Sequence, residues 1–190
     1  EGGRGTARIV EGAGKGEIDV VYLLGADEID TAALGKAFVV YQGHHGDKGA
    51  HRADVILPGA AYTEKNAIYV NTEGRPQQAR LATFPPGEAR EDWKILRALS
   101  EQLGHKLPYD SLAQLRRRLA EVNPVFAAVG TVTPSPWASF GAEGLIEDSP
   151  FFSTVANYYM TDPISRASVT MARCAETFVK PAESAQERTG

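Results

Sequence analysis

An α/β half-domain of three layers with mostly parallel strands, followed by an α-helical C-terminal region, is the architecture this sequence predicts. Three observations carry the prediction. Apolar runs of strand length recur at residues 18–24 (IDVVYLL), 37–41 (AFVVY) and 53–57 (ADVIL). The first two are continuous rather than alternating, the pattern of strands covered on both faces. The stretch between them has room for one short helix, and a β-α-β-loop-β order makes a parallel sheet the default topology.

Each element has a local justification. Residues 1–17 hold six glycines and no apolar period, so a mobile or partner-ordered lead-in is expected. Gly25 ends the first apolar run, and Asp27 or Asp30 is placed to cap the short helix that follows. Pro58 and Gly59 stop the third run, one lacking an amide hydrogen and the other tolerating positive φ. Residues 67–70 are again apolar and extended, and residues 71–78 (NTEGRPQQ) form a polar loop. Together these give a Rossmann-like half-domain over residues 18–128.

The clearest helix spans residues 88–103. Trp93, Leu96, Leu99 and Leu103 share one face, Ile95 broadens it, and Gly104 supplies a left-handed C-terminal cap. Ser111 and Gln114 make a capping-box pattern for a second helix with Leu112, Leu115, Leu119 and Val122 as its apolar seam. Arg116, Arg117 and Arg118 spread around the helix axis and are read as a solvated end rather than an anion site. Residues 129–157 mix aromatic residues with prolines and glycines, which suits a segment laid across another surface. Asp162 and Pro163 open a final helix within residues 158–180, with Cys174 as a small packed residue near its seam. Residues 181–190 are a polar tail.

Composition excludes several function classes. The chain has 190 residues, 43% apolar and 23% charged, with 20 Lys plus Arg against 24 Asp plus Glu and a formal charge of -4. This mild acidic balance gives no electrostatic footprint for nucleic acid. No apolar run approaches the roughly eighteen residues that would span a bilayer, so no direct membrane insertion is expected. The N-terminus shows neither a hydrophobic signal core nor a Met, and reads as a cut, a processed end or the second half of a split subunit. One cysteine, Cys174, cannot supply the thiolates of an iron-sulfur cluster or a structural zinc site.

Candidate chemistry is sparse. No G-x-G-x-x-G follows Leu24, and Gly12 to Gly16 precedes a strand instead of following one. His44, His45 and His51 lack an acid-rich ligand set at a recognised spacing, and His105 reads as a solvent-facing residue at a helix end. Glu64, Glu73, His44, His45 and Asp47 could provide acid-base chemistry, yet nothing pairs them at a characteristic spacing. In the loop at Asn71, Glu73, Gly74 and Arg75, Asn and Gly tolerate positive φ, side chains can satisfy loop amides, and Arg75 can bind back onto a carbonyl or carboxylate. The expectation is therefore a structural or vestigial loop, with no catalytic, cofactor-binding or metal-ligating residue.

ADVILP at residues 53–58, Glu64, and NTEGRPQ at residues 71–77 together resemble the C-terminal part of the molybdopterin oxidoreductase domain. The flanks YQGHHGDKGA (41–50), PPGEAREDWKILRALSE (85–101) and YYMTDPISRASVTMARC (158–174) are similar to the large iron-sulfur subunits of respiratory complex I, the NADH:quinone oxidoreductases. This resemblance implies a molybdoenzyme scaffold kept without molybdenum, supporting the subunit that passes electrons between clusters. It implies 4Fe-4S and 2Fe-2S clusters in a region outside this chain, and no cofactor bound by the chain itself. As partners it implies other peripheral-arm subunits, including the N-terminal cluster-bearing part of the same subunit. The implied location is the matrix side of the mitochondrial inner membrane, or the cytoplasmic side of a bacterial plasma membrane. The alternative is a fragment of a catalytic molybdopterin oxidoreductase such as a formate dehydrogenase. A free-standing nucleotide-binding regulator is disfavoured by the missing phosphate loops.

Overall fold

The computed structural model describes residues 3–26, 28–132, 134, 136–139, 141–146, 148–151 and 154–179. Asp27 as a cap and the tail at 181–190 lie outside the described residues. Two compact units divide the chain, one of residues 1–44 and 48–134, the other of residues 45–47 and 135–190.

The first unit is built on a parallel sheet of β1 (Val20–Leu24), β2 (Phe38–Gly43) and β3 (Val55–Pro58) in that spatial order. The register sets Tyr22 against Val40 and Val40 against Val55, so period-two alternation sorts the side chains into two faces. On one face Val21, Leu23, Val39 and Tyr41 form the core with Ala13, Leu34 and Ala37. The α/β class and the parallel strands follow the sequence reading.

The layer over that core comes partly from residues expected to be irregular. Helix α1 (Thr6–Gly14) lies within the glycine-rich lead-in and buries Gly12 and Ala13, with Val10 packed at the margin of the core. The sequence hid this helix because glycine lowers its propensity by about 1 kcal/mol per residue. Tertiary approach explains one of them: a Cβ on Gly14 would stand 2.8 Å from the Ala33 carbonyl oxygen. The helix between β1 and β2 is a single 3-10 turn, Thr31–Leu34, capped by Asp30, whose carboxylate accepts from Ala32 N at 3.0 Å.

A short helix α2 (Lys48–Arg52) joins β2 to β3. Arg52 donates to the Gly35 and Ala37 carbonyls at 3.0 and 2.9 Å, and Asp54 accepts from Val39 N at 2.7 Å.

The opposite face of the sheet departs from the expectation of strands covered on both sides. Val20, Leu24, Phe38 and Val55 are 58%, 50%, 47% and 39% exposed. On this face Gln42, near the carboxyl end of β2, is fully buried.

Beyond β3, the extended segment at 67–70 is β4 (Ala67–Val70), and it pairs antiparallel with β5 (Pro76–Ala79). Residues 76–78, read as loop, are thus strand. Arg90 makes a parallel bridge to Gly59 and exchanges backbone bonds with Pro58 and Ala60. That alignment delivers α3 (Asp92–Gln102) to the end of β3. Its C-terminus is the predicted left-handed cap: Gly104 has φ 77°, His105 N reaches Ser100 O at 2.9 Å and Gly104 N reaches Glu101 O at 3.0 Å. Leu103, expected on the apolar face, lies past the helix and is 66% exposed.

Helix α4 (Leu112–Val122) opens on the predicted box, with Gln114 N donating to Ser111 Oγ at 3.3 Å and Ser111 N to Gln114 Oε1 at 3.1 Å. Neither α3 nor α4 contains a fully buried residue.

In the second unit the final helix is broken rather than continuous. Asp162 caps α5 (Pro163–Ala167), Ser168 leaves helical geometry at ψ 119° and caps α6 (Val169–Cys174), and Ala175–Val179 forms a π-helical turn. Cys174 is half-buried.

Candidate functional site

A parallel α/β sheet places ligands beyond the carboxyl ends of its strands. Here that edge is spanned by a polar chain drawn from four elements. The Tyr22 hydroxyl on β1 donates to Gln42 Oε1 on β2. Gln42 Nε2 donates to Asp92 Oδ1 at 2.9 Å, and Asp92 Oδ2 pairs with Lys65 Nζ at 2.5 Å. Burial raises the Tyr22 pKa and the Asp92 charge adds to the shift, so the phenol stays a neutral donor.

Next to Asp92, Glu91 is 7% exposed. It accepts from Asn66 N at 3.1 Å and Trp93 Nε1 at 3.3 Å, and pairs with Lys94 at 2.8 Å. Burial pushes its pKa upward, but Lys94 together with the Asn66 and Trp93 donors outweighs it, leaving a net lowering.

The alternative reading, a catalytic molybdopterin oxidoreductase, needs a pterin site, and this edge can be tested against one. Glycines open a cradle for a ligand only where nothing else fills the missing Cβ. At Gly43 that space holds the Tyr41 ring, and at Gly59 a Cβ would stand 3.1 Å from Asp92 Oδ1. The donor set consists of an amide, a phenol, carboxylates and a lysine that answer one another. At Gly43 and Gly59 this edge leaves no room for a pterin.

The loop residues Asn71, Glu73, Gly74 and Arg75 form the turn of the β4–β5 hairpin. Asn71 Oδ1 accepts from Glu73 N at 3.1 Å and Arg75 N at 2.9 Å, and Gly74 N donates to Asn71 O at 2.9 Å. Gly74 alone of these residues takes positive φ, 79°; Asn71 serves as acceptor without needing it. Arg75 does not bind back through Nε, which is buried without a hydrogen-bond partner.

The remaining sequence candidates are dispersed. Glu64 accepts from Ala61 N at 2.9 Å. In the second unit, Asp47 pairs with Arg166. His51 sits in α2, and His105 is exposed. Among the described residues no group of three or more His, Cys, Asp or Glu is placed to hold a metal ion.

One side chain departs from its sequence reading as part of a solvated helix end. Leu112, Leu115, Arg116 and Leu119 stand at i, i+3, i+4 and i+7, so Arg116 shares the apolar seam. It lines a crevice of about 290 Å³ with Ile68, Trp93 and those leucines, and its Nη2 is buried without an acceptor. Arg117 is exposed, and Arg118 pairs with Glu121 at 3.1 Å, as a solvated helix face should. The helical spacing was the available signal, obscured by reading the three arginines as a run.

Residues 3–102 match the sequence profile described as Molybdopterin oxidoreductase. The chain belongs to that family. Residues 131–174 match the profile for the C-terminal region of the G-type NADH-ubiquinone oxidoreductase component, so the resemblance extends across the irregular segment as well.

Within the family, the similarity is to large subunits of NADH-quinone oxidoreductase. The chain is 53% identical over 163 residues to the mitochondrial NADH-ubiquinone oxidoreductase 78 kDa subunit of Neurospora crassa, covering 81% of the chain and 22% of that protein. To the Candida albicans 78 kDa subunit it is 53% identical over 169 residues, 83% and 24% of the two chains. To the G-type component of the Rickettsia bellii NADH-quinone oxidoreductase it is 48% identical over 160 residues, 84% and 24%. The chain thus spans about a quarter of the length of these curated relatives.

Proposed function

We propose that this chain is a non-catalytic structural module of the cluster-bearing large subunit in the peripheral, NADH-oxidising arm of respiratory complex I, where it supports electron transfer from NADH to quinone. The observation that carries the reading is the bare face of the parallel sheet at Val20, Leu24, Phe38 and Val55. Parallel sheets are covered on both faces, and a contiguous exposed apolar patch marks a surface that meets other protein. The polar chain from Tyr22 to Lys65 supports the non-catalytic half, because the groups at the ligand-binding edge are engaged with each other. The 4Fe-4S and 2Fe-2S clusters of the subunit belong to sequence outside these residues, and the chain binds no cofactor itself.

Its partners are the remaining cluster-bearing part of the subunit and neighbouring peripheral-arm subunits, on the matrix side of the mitochondrial inner membrane or the cytoplasmic side of a bacterial one. Among the described residues no helix is long and apolar enough to cross a membrane, in keeping with a peripheral position. The test is Phe38→Asp in the full-length subunit, read by native electrophoresis. The expected result is at least a severalfold loss of subunit from the assembled complex; undiminished incorporation would contradict the reading.

A further inference from the structure

Arg116 is a cation in the wrong setting for a solvated helix face. The crevice it lines is walled by Ile68, Trp93, Leu112, Leu115 and Leu119, and its Nη2 is both shut off from solvent and unbonded. Arg116 as a whole is half-buried, and this one shielded donor is the part of it that calls for an acceptor. The wall's own acids do not provide it. Asp92 is held by Lys65 at 2.5 Å and Glu91 by Lys94 at 2.8 Å. With those two pairs closed, one positive charge is left uncompensated.

We propose that this crevice is a docking site for a segment of a neighbouring subunit, which seats an apolar side chain among the α4 leucines and a carboxylate on Arg116. Charge complementarity requires the carboxylate, and the leucines, none of them fully buried in this chain, require the apolar group. The volume holds one or two side chains rather than a helix. A polypeptide source follows from the reading of the chain as part of a multisubunit assembly, on which this inference rests.

The test uses the full-length subunit in its assembly, with the photocrosslinker p-benzoylphenylalanine in place of Leu119, and in place of exposed Arg117 as control. The expected product is an adduct at position 119 to another subunit, within four residues of an Asp or Glu. Its yield should fall about tenfold or more with Arg116→Gln, as for loss of one partner of a buried charge pair. Arg116→Lys should keep most of it, and native electrophoresis should show both variants assembled. An adduct only to the same polypeptide, a yield no greater than at position 117, or indifference to the charge at 116 would overturn the docking site while leaving the assembly reading intact. Failure of the unmodified subunit to assemble at all would instead count against that reading.

Discussion

Asn71 shows how a residue that looks like a ligand can serve its own backbone. Its carboxamide oxygen accepts two loop amides, from Glu73 and Arg75, and Gly74 adopts the left-handed geometry that lets the turn close. Asn71→Ala removes both bonds and should cost about 1 kcal/mol in denaturant unfolding, since the freed amides can still reach water. Gly74→Ala should cost a similar amount, about 1 kcal/mol, because alanine is strained at φ 79°. A change of metal or cofactor content without a change in stability would argue instead for a ligand-holding loop.

Glu91 makes a pH-dependent prediction. Its pKa is lowered from the ordinary 4.5, so its contribution is complete above that value and is lost as pH falls through the lowered folded-state value. Glu91→Gln should therefore be less stable than the parent at pH 7, and the gap should narrow in acid-unfolding curves as pH falls from the ordinary 4.5 through the lowered folded-state value. A gap that is constant with pH would contradict the assignment.

Among the elements, those whose signals are local were legible in the sequence. Ser111 with Gln114, Gly104 after α3, and Asp162 before Pro163 each place a helix end within a residue or two, because capping chemistry involves only neighbours. Helix α1 was not legible, since its stability comes from Ala13 joining Leu34 in the core and Gly14 lying close against Ala33, and not from propensity. β5 was not legible either: Pro76, Gln77, Gln78 and Ala79 lack β-propensity and become a strand through pairing with β4.

The polar chain at the strand ends was equally hidden, because it joins Tyr22, Gln42, Lys65 and Asp92 from four separate stretches. Gln42→Leu would leave the half-buried Tyr22 hydroxyl and Asp92 Oδ1 without their partner, a loss of about 1 kcal/mol for each, at the low end for an unsatisfied group because water can still reach them. Thermal or chemical unfolding of the variant tests this; stability within a few tenths of a kcal/mol of the parent would mean that water replaces the amide.

At the scale of the whole molecule, continuous apolar strands correctly announced a parallel sheet, while the expected cover on both of its faces is not met within the described residues. The described residues cover one face, and Val20, Phe38 and Val55 mark the other as a surface for further protein. The half-buried seams of α3 and α4 repeat the theme. A sequence shows which residues seek burial; what covers them lies outside the periodicity of any single stretch.

The central claim is that this family scaffold supports an assembly without handling a cofactor of its own. The most direct measurement is native purification of the full-length subunit from gently solubilised membranes, with its protein partners identified by mass and its iron and molybdenum quantified. The account predicts co-purification with flavin-site, quinone-site and membrane-arm subunits, with iron present and molybdenum absent. Stoichiometric molybdenum with a pterin in a small soluble assembly would contradict it.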